Sequence, residues 1–142
     1  MPLNEIFGNT VKLLEKNLDL RTRNHNLIAG NLANAETPGY IPTSLSFQDQ
    51  LKQAVKANDG RQTTPALTNP RHLPLHKAGS GIEKVQGQVK ETPAKTVGKD
   101  GNGVELENEM SKMLENQIMY NASVQILSKK FEVLKYAVKG GV

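Results

Sequence analysis

The side chains that could do chemistry are few and poorly placed for it. Histidines stand at positions 25, 72 and 76. His72 and His76 are four apart, a spacing that lets two imidazoles share a metal on one helical face. Pro70 and Pro74 break such a helix, because proline lacks the N–H and clashes with the preceding turn. No third ligand is evident, so the pair reads as solvated loop residues. His25 falls on an apolar helical stripe and reads as a buried or interfacial side chain. Gly98-Lys99-Asp100-Gly101-Asn102-Gly103 invites a phosphate-loop reading, but no apolar strand precedes it and the Gly-Lys-Ser/Thr ending is missing. As a calcium loop it fails twice: Glu105 stands where a glycine is needed, and Ser111 where a bidentate glutamate belongs. No serine–histidine–acid order or carboxylate pair stands out. Cysteine is absent, which excludes disulfides, thiolate catalysis and cysteine-held zinc. The chain reads as a non-enzyme with no catalytic residue, no cofactor and no metal.

Composition points the same way. Of 142 residues only 37% are hydrophobic and 4% aromatic, with no tryptophan, and mean hydropathy is −0.51. That is thin material for an independent core, so order gained on assembly is expected. The net charge of +4 mixes 18 basic with 14 acidic residues. Residues 36–103 hold nine basic and six acidic side chains, so most of the excess lies off the helices. A nucleic-acid footprint would be clustered and interleaved with stacking aromatics; no nucleic acid is expected. No apolar run approaches the roughly 20 residues needed to span a bilayer, so no membrane insertion is expected. Met1-Pro2-Leu3-Asn4-Glu5 has neither a basic nor an apolar signal region, so Sec export is not expected.

Two amphipathic arms carry the pattern. Over residues 3–35, Phe7, Val11, Leu14, Leu18, Ile28 and Leu32 fall on alternating four–three spacing, with Arg21 and His25 in the same series. Ile6, Leu13, Leu20 and Leu27 repeat every seven residues beside them, making a broad stripe at heptad spacing. Asn17, Asn24 and Asn31 form another heptad column within it. Buried at a seam, such asparagines would fix register at a cost in stability; at the stripe's wet edge they would do nothing of the kind. Both readings stand. The second arm, 104–139, repeats the four–three spacing through Leu106, Met110, Met113, Gln117, Tyr120, Val124, Leu127, Phe131, Leu134 and Val138. Glutamates at its start and lysines near its end suit the helix dipole, and Asp100 or Asn102 could cap it. The simplest way to bury both stripes is to pack them on each other and then on further copies.

Between the arms the pattern fades. Residues 46–55 look like a short helix, with Ser46 and Asp49 as a loose capping box. Residues 58–103 are rich in turn signals such as Asp59-Gly60, Asn69-Pro70 and Gly79-Ser80-Gly81, and only Val85, Val89 and Val97 hint at short strands. The expected organisation is an N-terminal coiled-coil helix at 1–35, a loop and short helix at 36–57, a flexible turn-rich segment at 58–103, and a C-terminal coiled-coil helix at 104–142. The fold class is mainly α, with the long terminal helices pairing as a coiled coil around a largely irregular middle segment, ordered on assembly.

The segment Asn31-Leu32-Ala33-Asn34-Ala35-Glu36-Thr37-Pro38-Gly39-Tyr40 stops the first arm. Pro38 disfavours helical geometry at Thr37, and Gly39 allows the positive φ of a tight turn. Through Asn31, Leu32, Ala33, Asn34, Thr37, Pro38, Gly39 and Tyr40 it resembles the N-terminal signature of bacterial flagellar rod and hook proteins. Asp100–Met110, Asn116, Tyr120 and the Phe131–Gly140 ending narrow the resemblance to the proximal-rod family of the basal body, the FlgB type first and the sister FlgC type second. Together these cover about residues 3–55 and 98–141.

The resemblance implies a structural subunit that polymerises helically through its terminal helices and transmits torque for motility. It implies export by the flagellar type III apparatus and residence in the basal-body rod, in the periplasmic space. Implied partners are other copies, FlgC and related rod proteins, the ring–rod junction protein FliE, the membrane ring FliF and the export gate. Phe47 and Leu51 match the family's export-gate motif, and equally make one face of a small docking helix. Tyr40 is expected at a neighbouring subunit. The competing class is a soluble coiled-coil adaptor or regulatory protein, which would form a discrete oligomer instead of a rod.

Overall fold

In a computed structural model the described residues are 8–58, 81–92 and 103–140. Helix α1 spans Gly8–Ala33, strand β1 Thr43–Ser46, helix α2 Gln48–Asn58, and strand β2 Gln88–Glu91. A single 3₁₀ turn, Ile82–Lys84, precedes β2, and helix α3 runs over Leu106–Val138. The chain is mainly helical, with the two long helices packed together. Phe7, His72, His76, Val97 and the Gly98–Asn102 loop with its capping candidates lie outside the described residues. The N-terminal residue of α3 is capped by Glu105 in extended conformation, with no side-chain bond.

The sequence around residue 37 ends α1 as its residue types require. Asn34 N–H bonds both Gly30 O and Asn31 O, tightening the last turn. Tyr40 N–H then closes on Thr37 O at 3.2 Å, with Gly39 at φ +74°. Proline second and a positive-φ glycine third is the pattern of a type II turn. Nothing lies within 4 Å of a Cβ built on Gly39, so backbone conformation alone requires glycine there. The chain continues into β1, which pairs antiparallel with β2 from Thr43↔Glu91 to Ser46↔Gln88. A lone two-stranded pair is marginal in water. Here Thr92 N–H bonds Pro42 O at 2.8 Å, which lengthens the ribbon, and Leu45 inserts into the apolar cluster, which holds it to the helices.

That cluster is small. Leu20, Leu45, Phe47, Ala54, Ile82 and Val85 are buried in it, with Leu13, Leu27 and Leu51 packed alongside. The column Leu13–Leu20–Leu27 is thus the face of α1 that meets β1, α2 and the 3₁₀ turn. Two expectations change here. The short helix starts at Gln48, and Ser46 ends β1 instead of capping it. Residues 81–92 are not irregular filler: Ile82 and Val85 are core residues, while Val89 lies in β2 but is exposed. Polar ties fix this stretch to α1 and α2: exposed ones from Lys12 Nζ to Glu83 Oε1 at 2.8 Å and from Arg23 to Gln86 O, and a half-buried one from Gly87 N–H to Gln50 Oε1. Elements this short leave too few apolar residues for a period to be read.

Candidate assembly interface

Beside that leucine column, about 40° around α1, runs the asparagine column, and it meets α3. Asn17 Nδ2 donates to Ser123 Oγ at 2.8 Å. Asn24 Nδ2 donates to Asn116 Oδ1 at 3.3 Å. Asn31 Nδ2 donates to Glu109 Oε2 at 2.9 Å. Both columns step by seven, in opposite directions, so the helices are antiparallel and the three pairs form a polar ladder along one seam. Asn116 Nδ2 also donates to Arg21 O at 2.9 Å, tying a side chain of α3 to the backbone of α1.

Asn31 is the tightest point. It is 1% exposed. A second bond from its Nδ2 goes to Thr43 O at 2.8 Å, and its Oδ1 accepts from Thr43 N at 3.0 Å and Tyr40 Oη at 3.2 Å. All four hydrogen-bonding positions of the amide are filled, which offsets the cost of burying a polar group. Glu109, also buried, receives Lys112 Nζ at 2.6 Å on its other oxygen. The signature loop therefore folds back on its own helix, and the Tyr40 hydroxyl bonds Asn31 of the same chain. Gly103 completes the joint, since a Cβ there would lie 2.6 Å from Tyr40 O.

Arg21 sits mid-seam with its guanidinium 5.8 Å from the Phe47 ring centroid, in cation–π range. Its Nε is buried without a partner. Burial lowers its pKa, and nearby Glu115 opposes that shift. His25 is half-buried and lines a small pocket with Arg21, Asn116 and Tyr120.

The expected stripe on α3 divides in two. Met113, Tyr120, Leu127 and Leu134 are half-buried on the seam side. Leu106, Met110, Val124, Phe131 and Val138 are exposed, as is Gln117. The seam uses Glu109, Asn116 and Ser123, one residue earlier than Met110, Gln117 and Val124. The two helices thus pack together with a polar column in the seam, where the asparagines of α1 find partners, and with only part of the α3 stripe half-buried alongside. On α1, Val11 and Ile28 are buried and Leu14, Leu18 and Leu32 half-buried. Phe47 is buried, and Leu51, whose N–H bonds Phe47 O, faces the same cluster. The sequence reading missed Glu109, Asn116 and Ser123, although their heptad spacing mirrors that of Asn17, Asn24 and Asn31.

Part of what remains outside on α3 is apolar. Met110, Leu114, Ile118, Ile126 and Val133 are each more than half exposed. Exposed apolar side chains in this number on one helix point to a protein contact. Among the described residues no group of three or more histidines or carboxylates could hold a metal, and no helix is long and apolar enough to cross a membrane.

No protein-family profile matches the chain. It is similar to the flagellar basal body rod protein FlgB of Bacillus subtilis, 29% identical over 96% of this chain and 98% of that protein. The FlgB of Proteus mirabilis is 28% identical over 94% of this chain and 96% of its own length. The FlgB of Escherichia coli K12 is 25% identical over 92% and 94%.

Proposed function

We infer that this chain is a flagellar basal body rod protein of the FlgB type, a structural subunit and not an enzyme. The observation that carries this is similarity running almost end to end with rod proteins of nearly equal length. The exposed apolar face of α3 fits it, because a subunit that ends its life packed among others leaves such a face uncovered in a single copy. As a basal-body component the protein assembles with other flagellar parts.

Finer statements belong to the proposal. Copies stack helically through their terminal helices and pass torque along the rod. The neighbours are FlgC-type rod proteins, FliE and the FliF ring. Export runs through the type III gate into the periplasmic rod, with Phe47 and Leu51 available to the gate only while the chain is unfolded, since both pack into the cluster once it folds. Asn17, Asn24 and Asn31 set the register of α1 on α3. The test is deletion of the gene and electron microscopy of isolated basal bodies. A membrane ring without rod, hook or filament, restored by the intact chain, is expected. Complete flagella in the deletion strain would overturn the reading in favour of a soluble coiled-coil adaptor.

A further inference from the structure

A groove of about 510 Å³ opens beside the apolar cluster. Its walls are Leu13 and Leu14 of α1, Leu51 and Val55 of α2 and Met119 of α3, over Phe47. Its rim is basic: Arg21, Lys52 and Lys56. Lys52 has Asp49 at 4.0 Å, but both side chains are largely in solvent and that pair leaves the lysine charge available. The groove asks for an apolar ridge with acidic flanks.

The same chain carries one. Met110, Leu114 and Ile118 stand 57%, 63% and 59% exposed along α3, each four residues from the next, with exposed Glu107 and Glu115 beside them. Glu115 also lies within electrostatic reach of Arg21 in its own chain. At 3.6 residues per turn, Leu114 and Met119 point roughly 140° apart around α3, so ridge and groove open on different sides of the molecule.

Resting on the rod-subunit reading, we propose that the Met110–Leu114–Ile118 ridge of one copy docks into the groove of the next. Such a contact joins two different patches, not one patch to itself. It is heterologous, leaves a free groove at one end and a free ridge at the other, and propagates into an open helical stack when the rotation does not close. Charge at the rim selects the direction, because a groove cannot pair with a second groove.

The absence of cysteine makes the test clean. Val55→Cys and Leu114→Cys variants are expressed together in the deletion strain, and separately, and basal bodies are run on non-reducing gels after mild oxidation. The expected result is a disulfide-linked dimer in the mixture and none in either strain alone. Rods that assemble from both variants without a mixed dimer would overturn the contact while leaving the rod reading intact, giving the groove to another segment or another protein. A dimer from Val55→Cys alone would overturn it in favour of a symmetric interface. Complete flagella in the uncomplemented deletion strain would remove the rod reading itself. As a second readout, Lys56→Glu should reduce swimming and Glu107→Lys in the same chain should restore part of it; loss without any restoration counts against the proposed pairing.

Discussion

Two neighbouring columns on α1 repeat every seven residues, and they do opposite jobs. Leu13, Leu20 and Leu27 face an apolar cluster that supplies stability. Asn17, Asn24 and Asn31 face α3 through directional bonds that supply position. Apolar packing tolerates sliding and rearrangement; a buried amide does not, because a missing partner leaves a desolvated dipole. A helix this thin in hydrophobic residues divides the two tasks between neighbouring columns.

The largest effect that would sharpen this contrast is on the leucine side. Leu20→Ala should cost about 2–5 kcal/mol through reduced burial and the cavity left behind, seen as a lower denaturation midpoint; a change under about 1 kcal/mol would show the cluster to be loosely packed. Asn31→Ala comes next. It removes the partner of Glu109 Oε2, Thr43 N–H and the Tyr40 hydroxyl, and unpaired buried groups cost about 1–3 kcal/mol each when they cannot reach water. The Asn24→Leu/Asn116→Leu double variant should go the other way, holding or gaining stability while register loosens. Paired spin labels on α1 and α3 should then give a broadened distance distribution. An unchanged narrow one would deny the ladder its positional role.

Smaller still is the turn. Gly39→Ala at φ +74° should cost about 1–2 kcal/mol, all of it backbone strain, since the added methyl meets open space. A midpoint equal to the parent's would show that the turn relaxes freely. Smallest is the Lys12–Glu83 bridge, fully exposed on the glutamate side. The hydrogen bond from Lys12, then its charge, lowers the Glu83 pKa below 4.5. A depressed carboxylate contributes above its ordinary value and loses that contribution as pH falls through the lower folded value. Lys12→Met should therefore leave the midpoint at neutral pH almost unchanged and remove a slight acid dependence below about pH 4.5. A large shift at pH 7 would mean the bridge does more than tie down residues 81–92.

These elements were not equally legible. Both arms, the turn at Thr37–Tyr40 and the asparagine column could be read from spacing, because each repeats a residue type or uses one with a fixed backbone preference. The face of α3 could not. Periodicity selects the most apolar column, and Met110 and Val124 outrank Glu109 and Ser123 on any hydrophobic scale. The inner face was polar because its partner was polar, which only the pairing reveals. β1 holds one apolar residue in Thr43-Ser44-Leu45-Ser46, too little to signal a strand, and Ile82 and Val85 lie in a stretch of mostly polar neighbours.

The ladder also has a stop at one end. A slip of one heptad, about 10.5 Å along the axis, would set Asn31 against Asn116 and Asn24 against Ser123, and both pairs could still bond. Glu109 would then be carried past the end of α1 toward the Pro38 turn, leaving Asn31, Thr43 and Tyr40 behind. Two rungs are interchangeable and the third is not. The carboxylate works as an index mark, so that of all the offsets the repeating helices permit, one alone closes every bond.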